Sequence, residues 1–297
     1  MDTTDQIRDA QALLGGPGGA WPRRAVLRAA LGVGYAAAAA PVVAQTAIRT
    51  PSDGLQVGEV QVSVGGDTIP VYRAAPAGRT GLPVVLVISE IFGVHDYIAD
   101  TARRFAQAGY LALAPDLFVR QGDPMAYGEL ARLLSELIAK VPDAQVLADL
   151  DACVAWAAAH GGDTRRVAVT GFCWGGRQTW LYAAHNPQLR AAVAWYGRLE
   201  GERTPLQPQH PLDVAQRLHA PVLGLYGGAD TGIPLASVER MQAALRAGSA
   251  AARASEFVIY PDAPHAFHAD YRPSYRAEAA ADGWRRCLDW FARHGAV

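Results

Sequence analysis

The sequence is poor in several features that would fix its class at once. It has only three cysteines, Cys153, Cys173 and Cys287, too few for a disulfide framework. None of them sits in a C-x-x-C pair of the kind that binds zinc or cycles between thiol and disulfide. An excess of one charge is also missing: 27 Lys and Arg against 28 Asp and Glu leave a formal net charge of -1. That balance carries no basic footprint for nucleic acid and no acidic bias of the kind that keeps a chain disordered. No internal repeat is present, and no linker divides residues 57–297. What is plentiful is apolar content, 51% of 297 residues, enough to fill one substantial core.

The N-terminus differs from the rest. Arg23, Arg24 and Arg28 precede an almost uncharged run from Ala29 to Ala44. The run is too short and too weakly hydrophobic for a membrane span, and Val42-Val43-Ala44 offers a cleavage site before Gln45. Residues 1–44 therefore read as an export signal similar to the twin-arginine type, with its apolar residue one place late. The expectation is a periplasmic chain cut near Ala44, with no stable membrane span in the mature form. The alternative is a cytoplasmic protein carrying an extension or an amphipathic helix. Residues 45–56 read as a linker.

From there the pattern alternates between strands and helices. Val57–Val64, the turn Gly65-Gly66-Asp67 and Ile69–Tyr72 predict an antiparallel hairpin. Continuous apolar runs predict buried strands at Pro83–Ile88, Tyr110–Ala114, Val167–Thr170, Ala191–Trp195, Pro221–Tyr226 and Glu256–Tyr260. Helical spacing marks Ile98–Ala108, Tyr127–Lys140, Ala144–His160, Gly175–His185, Pro234–Ala247 and Tyr275–His294. Such alternation predicts an α/β domain over 57–297, a mostly parallel sheet with helices on both faces.

The most specific local feature is Gly171-Phe172-Cys173-Trp174-Gly175-Gly176, between a strand and a helix. This is the G-x-nucleophile-x-G elbow with cysteine in the nucleophile position. Its glycines clear the space in which the backbone doubles back, and the helix N-terminus favours a thiolate. Cys153 and Cys287 fall on apolar helix faces and read as core. A nucleophile of this type takes an acid and then a histidine from later strand ends. Asp230 follows one strand and His265 the next, whereas Asp262 reads as a turn residue and His268 is a second candidate base. The backbone N–H groups of Ile91 and Trp174 are the candidate oxyanion hole. Glu90, at the end of an apolar strand, is either a solvated or paired carboxylate or an influence on thiol ionisation.

Together, Ser89-Glu90-Ile91-Phe92-Gly93, Ala114-Pro115-Asp116-Leu117-Phe118, the Cys173 elbow, Gly227-Gly228-Ala229-Asp230 and His265-Ala266-Phe267 resemble the dienelactone hydrolase (carboxymethylenebutenolidase) family, in its order, across residues 57–294. The resemblance implies an α/β-hydrolase fold and a Cys173–His265–Asp230 triad. It also implies that Glu90 controls the resting state of the thiol, and that no metal or organic cofactor takes part. The implied reaction is lactone or ester opening through a thioester acyl-enzyme. The family's arginine shortly after the histidine is replaced, with His268, Ala269 and Asp270 in that region. Arg272, Arg120 and Arg177 remain as candidates for a substrate carboxylate, with Tyr196 and Phe118 as candidate pocket walls.

The expected partner is a small ester or lactone, not nucleic acid, and the sequence does not set an oligomeric state. Three alternatives stand beside this: an exported small-molecule-binding protein without turnover, a thioesterase or peptidase on the same fold, and a thiol sensor. The last lacks a nearby resolving cysteine.

Overall fold

The computed structural model describes residues 48–297. The export signal expected over 1–44 lies outside the described residues, as do residues 45–47 of the expected linker, whose last two residues, Leu55 and Gln56, already belong to the first strand. One eight-stranded sheet runs through the domain in the order β1-β2-β4-β3-β5-β6-β7-β8. Its opening is the expected hairpin, β1 (Leu55–Val64) and β2 (Asp67–Pro76), paired antiparallel through the Gly65-Gly66 turn. β2 continues antiparallel to β4 (Leu111–Pro115). From β4 onward every pairing is parallel: β3 (Leu82–Ile88), β5 (Gly162–Phe172), β6 (Ala191–Trp195), β7 (Val222–Gly227) and β8 (Glu256–Tyr260). The apolar runs are continuous because both faces are covered.

Five longer helices do the covering: α1 (Asp96–Gln107), α2 (Asp143–Ala159), α3 (Trp174–His185), α4 (Leu235–Arg246) and α5 (Ala277–Arg293). α1 and α5 share one face, where the Phe105 and Trp284 rings meet at 4.5 Å. α2 and α3 pack together on the other, and Trp180 of α3 donates its indole N–H to Tyr226 of β7 at 3.1 Å. Cys153 and Cys287 are fully buried on these helices, as their apolar positions require. Among the described residues no helix is long and apolar enough to cross a membrane.

Two local expectations are corrected. Residues 127–140 do not form one helix but a short α-helical stretch, a π-helical turn at Leu133–Leu137 and a 3-10 turn. The segment has no side-chain cap, and burial of Leu133, Leu134, Leu137 and Ile138 sets its geometry in place of a regular helix. β5 also begins five residues earlier than its apolar run. A register shift between Pro83 and Val84 lets the polar Gly162 and Asp163 pair with Leu82 and Pro83 before the buried part starts at Val167.

Candidate active site

The loops after β3, β5, β6, β7 and β8 all leave from the carboxyl edge of the parallel sheet, the edge where such folds place their chemistry. Each carries one residue of the site. After β5 the chain turns directly into α3 at Cys173, which has φ 56° and ψ -113°. Its N–H is held by the Trp195 carbonyl at 3.0 Å. The turn is possible because its flanks lack side chains. A Cβ on Gly171 would lie 2.2 Å from the Gly175 carbonyl oxygen, and one on Gly175 would lie 2.4 Å from that of Ile88. α3 is thereby pressed against the end of β3, and its first N–H groups, Trp174 among them, have no intrahelical acceptor.

Among the described residues only three non-glycine residues have positive φ: Cys173, Tyr196 (39°) and Ala266 (59°). All three stand at this edge, next to or within the chemistry, where backbone strain is commonly stored.

Asp230, just past β7, and His265, just past β8, meet in the interior. His265 Nδ1 donates to Asp230 Oδ2 at 2.7 Å, with both side chains 1% exposed. The other carboxylate oxygen of Asp230 accepts the N–H groups of Gly232 (2.9 Å) and Ile233 (3.2 Å), so its orientation is fixed from behind. Nδ1 is therefore the protonated nitrogen and Nε2 the basic one. Nε2 is buried and has no hydrogen-bond partner among the described residues. Burial opposes a charge on this imidazole, but the Asp230 carboxylate and the nearby Cys173 sulfur outweigh it and hold the His265 pKa well above its ordinary value. The Tyr196 ring stands edge-on to His265 at 5.1 Å.

His268, the second candidate base, is taken up elsewhere. Its Nδ1 lies 2.6 Å from the Tyr97 hydroxyl, and its ring packs on Phe172 and Trp195. Burial pushes its pKa well down, so the ring is neutral and Nδ1 accepts from Tyr97.

Glu90 follows β3 and is fully buried, which corrects the solvated alternative. His95 Nε2 donates to it at 3.0 Å and the Tyr271 hydroxyl at 3.1 Å. Burial raises its pKa, but His95, Arg272 and Tyr271 together bring it below the ordinary value, so the group is a carboxylate at neutral pH. His95 and Tyr271 are the site residues that the sequence did not reveal. His95, five places from Glu90, was the only local signal.

The three candidate arginines separate. Arg272 is buried beside the site, its guanidinium over the rings of Tyr271 (4.7 Å) and Phe92 (4.9 Å) and near enough to act on Glu90. The other two are corrected. Arg120 makes a fork with Asp149 at 2.9 and 2.6 Å. Arg177 makes one with Asp143 at 2.7 and 2.8 Å and also donates to the Gln209 carbonyl at 2.7 Å. The first fork ties the loop after β4 to α2, and the second ties α3 to α2. Phe118 is fully buried against Trp174 at 4.8 Å, so it supports the elbow from below. Tyr196 is also fully buried, and its hydroxyl, like Ser89 Oγ and the Trp174 indole N–H, has no hydrogen-bond partner among the described residues. No group of three His, Cys, Asp or Glu among the described residues is arranged to hold a metal ion.

A mostly parallel sheet with a nucleophile elbow after a central strand, and an acid and a histidine from later strand ends, defines an α/β-hydrolase. The sequence of the Dienelactone hydrolase family matches residues 69–295. The chain is 56% identical over 92% of its length, and 93% of the relative's, to a protein of Methylorubrum extorquens named "Putative carboxymethylenebutenolidase". It is 32% identical over 79% of its length to a Bradyrhizobium protein named "Probable 2-oxo-3-(5-oxofuran-2-ylidene)propanoate lactonase", 93% of which is covered. A crystal structure described as "Putative Dienelactone Hydrolase from Klebsiella pneumoniae" superposes with a TM-score of 0.78 at 57% identity, over 80% of this chain and 99% of that one. The chain belongs to the dienelactone hydrolase family and is a carboxylic ester hydrolase.

Proposed function

We propose that the protein opens a small ester or lactone through Cys173, His265 and Asp230, by way of a thioester. The observation that carries this reading is the buried 2.7 Å bond from His265 Nδ1 to Asp230, which leaves Nε2 as the ring nitrogen available to the Cys173 sulfur. With the Cys173 proton carried on His265 Nε2, Sγ bonds to the carbonyl carbon and the carbonyl π bond opens, its oxygen becoming an anion held by the N–H groups of Trp174 and Ile91. Collapse breaks the ester C–O bond, and His265 returns its proton to the leaving oxygen. In a lactone that oxygen stays on the acyl group. A water then gives its proton to His265 and attacks the thioester, which releases the carboxylate and the thiol.

Glu90 and Arg272 make the substrate preference specific. The desolvated guanidinium of Arg272, stacked on two rings, suits a substrate carboxylate. Glu90 supplies the opposing charge when the pocket is empty, consistent with a carboxylate that influences the thiol. The two relatives' names refer to a butenolide and a propanoate lactone, in keeping with a carboxylate-bearing ring. The unsatisfied polar atoms of Ser89, Trp174 and Tyr196 fit a polar guest better than an alkyl ester. Export by the N-terminal segment is part of the same proposal; sequencing the N-terminus of periplasmic material would give Gln45 first, and an intact Met1 in cytoplasmic protein would refute it.

The test is intact-mass analysis after incubation with activated esters, simple lactones and dienelactone. The expected result is turnover with an acyl adduct on wild type and none on Cys173→Ala. Full turnover by Cys173→Ala would remove the nucleophile assignment, and the absence of both turnover and adduct across the panel would remove the hydrolase mechanism.

A further inference from the structure

Far from the carboxyl edge, on the face covered by α2, a groove of about 450 Å³ opens between the hairpin and the end of that helix. It is lined by Gln56, Val60, Gln61, Arg73, Trp156 and His160. Strand register explains the opening. Arg73 of β2 lies opposite Gly58 of β1, which presents no side chain, so the guanidinium emerges into space between Gln56 and Val60.

Arg73 differs from the other half-buried arginines. Arg103 and Arg104 are tied to Asp100, Arg120 to Asp149 and Arg177 to Asp143. Among the described residues no carboxylate pairs with Arg73, and its Nε is buried without a hydrogen-bond partner. A buried guanidinium nitrogen without an acceptor is a costly arrangement that an oxygen of a ligand would relieve.

The second wall is aromatic. The Trp156 and His160 rings lie parallel, 3.8 Å apart at 6°. His160 Nδ1 donates to the Trp156 carbonyl at 2.7 Å, which locks the pair. A forked cation beside a flat, rigid aromatic wall, in a groove of small-molecule size, selects a planar anion.

We propose that this groove is a second binding site, separate from the catalytic one, for a small aromatic or conjugated carboxylate held by Arg73 and packed on the Trp156–His160 pair. Carboxylates are also the product class of ester opening, so the site suits a product or a close analogue of it.

The experiment is calorimetric titration of the full chain with benzoate, with cyclohexanecarboxylate and benzyl alcohol as non-planar and uncharged comparators. Benzoate is expected to bind with a Kd of about 1 mM or tighter and both comparators at least about tenfold more weakly. Arg73→Gln and Val60→Glu, the latter placing a carboxylate diagonal to Arg73, should each weaken benzoate at least about tenfold, the loss of a charge-assisted pair. Both should retain the wild-type melting temperature and wild-type turnover of a neutral activated ester. Arg272→Gln should retain the benzoate site. Absence of benzoate binding, or binding retained by folded Arg73→Gln and Val60→Glu, would overturn the proposal. Loss of all binding in Arg272→Gln alone would do the same, because the catalytic pocket would then be the only site.

Discussion

Replacing Asp230 with asparagine should disable the base without disturbing the fold. Asp230 uses its two oxygens for different tasks: one accepts from Gly232 and Ile233, the other from His265 Nδ1 at 2.7 Å. Asparagine has one acceptor oxygen, and the two backbone donors fix where it must point. Its amide N–H₂ then faces Nδ1, which can meet it only as an acceptor. The imidazole is driven to the Nε2–H tautomer, the form that cannot take a proton from Cys173. The same isosteric change in a serine triad lowers kcat by about 10⁴. A thiol ionises more readily, so we expect kcat/KM to fall by about 10² to 10⁴, roughly 3 to 5 kcal/mol of barrier at about 1.4 kcal/mol per tenfold. The assay is kcat/KM on an activated ester, with Asp230→Ala in parallel. Alanine removes the orienting group but does not impose the wrong tautomer, so its loss should be no greater than that of asparagine. A folded Asp230→Asn enzyme within tenfold of wild type would refute the assignment of Nε2 as the base.

Gly175→Ala should cost about 3 kcal/mol or more, because its Cβ would meet the Ile88 and Ser89 carbonyl oxygens at 2.4 and 2.6 Å; denaturant titration reads it, and an unchanged midpoint would contradict the close approach of α3 to β3. The folded-state pKa of His265 is raised, so the charged pair with Asp230 stabilises fully below the unfolded value of about 6.5 and is lost as pH rises through the higher folded value. The stability gap between wild type and His265→Gln should therefore be widest at mildly acid pH and shrink in alkali, read as melting temperature against pH. For Glu90 the sign is reversed: its lowered pKa contributes stability above about pH 4.3, which is lost as pH falls through the folded value, so the melting-temperature gap to Glu90→Gln should close in acid. Tyr196→Phe removes a hydroxyl that has no partner among the described residues, so stability should hold within about 0.5 kcal/mol while kcat/KM falls about tenfold; unchanged kinetics would take Tyr196 out of the substrate pocket.

The elbow was legible because local rules suffice for it: a strand, two glycines that must lack Cβ atoms, and a helix. Asp230 and His265 were legible because each follows an apolar run directly, and a parallel sheet brings successive strand ends to one edge. The surroundings of Glu90 were not. Its partners come from five residues away in His95 and 181 away in Tyr271, and nothing in a run of sequence signals the second. The arginines show the same limit from the other side. Whether a guanidinium reaches a ligand or an aspartate on a neighbouring helix depends on packing, which left Arg120 on Asp149 and Arg177 on Asp143. Tyr127–Lys140 was misread because helix-forming composition does not distinguish an α-helix from a π-helical turn shaped by burial.

The order in which the site's parts occur along the chain has a consequence in time. During synthesis Cys173 and its elbow leave the ribosome well before His265, and α5, which covers one face of β6 and β7, comes last. A nascent chain that ends before β8 holds the thiol but neither the base that would draw its proton nor Tyr271 to fasten Glu90. Under the proposed mechanism, the cysteine is therefore a bystander until the last part of the chain docks, and turnover begins only with a finished fold.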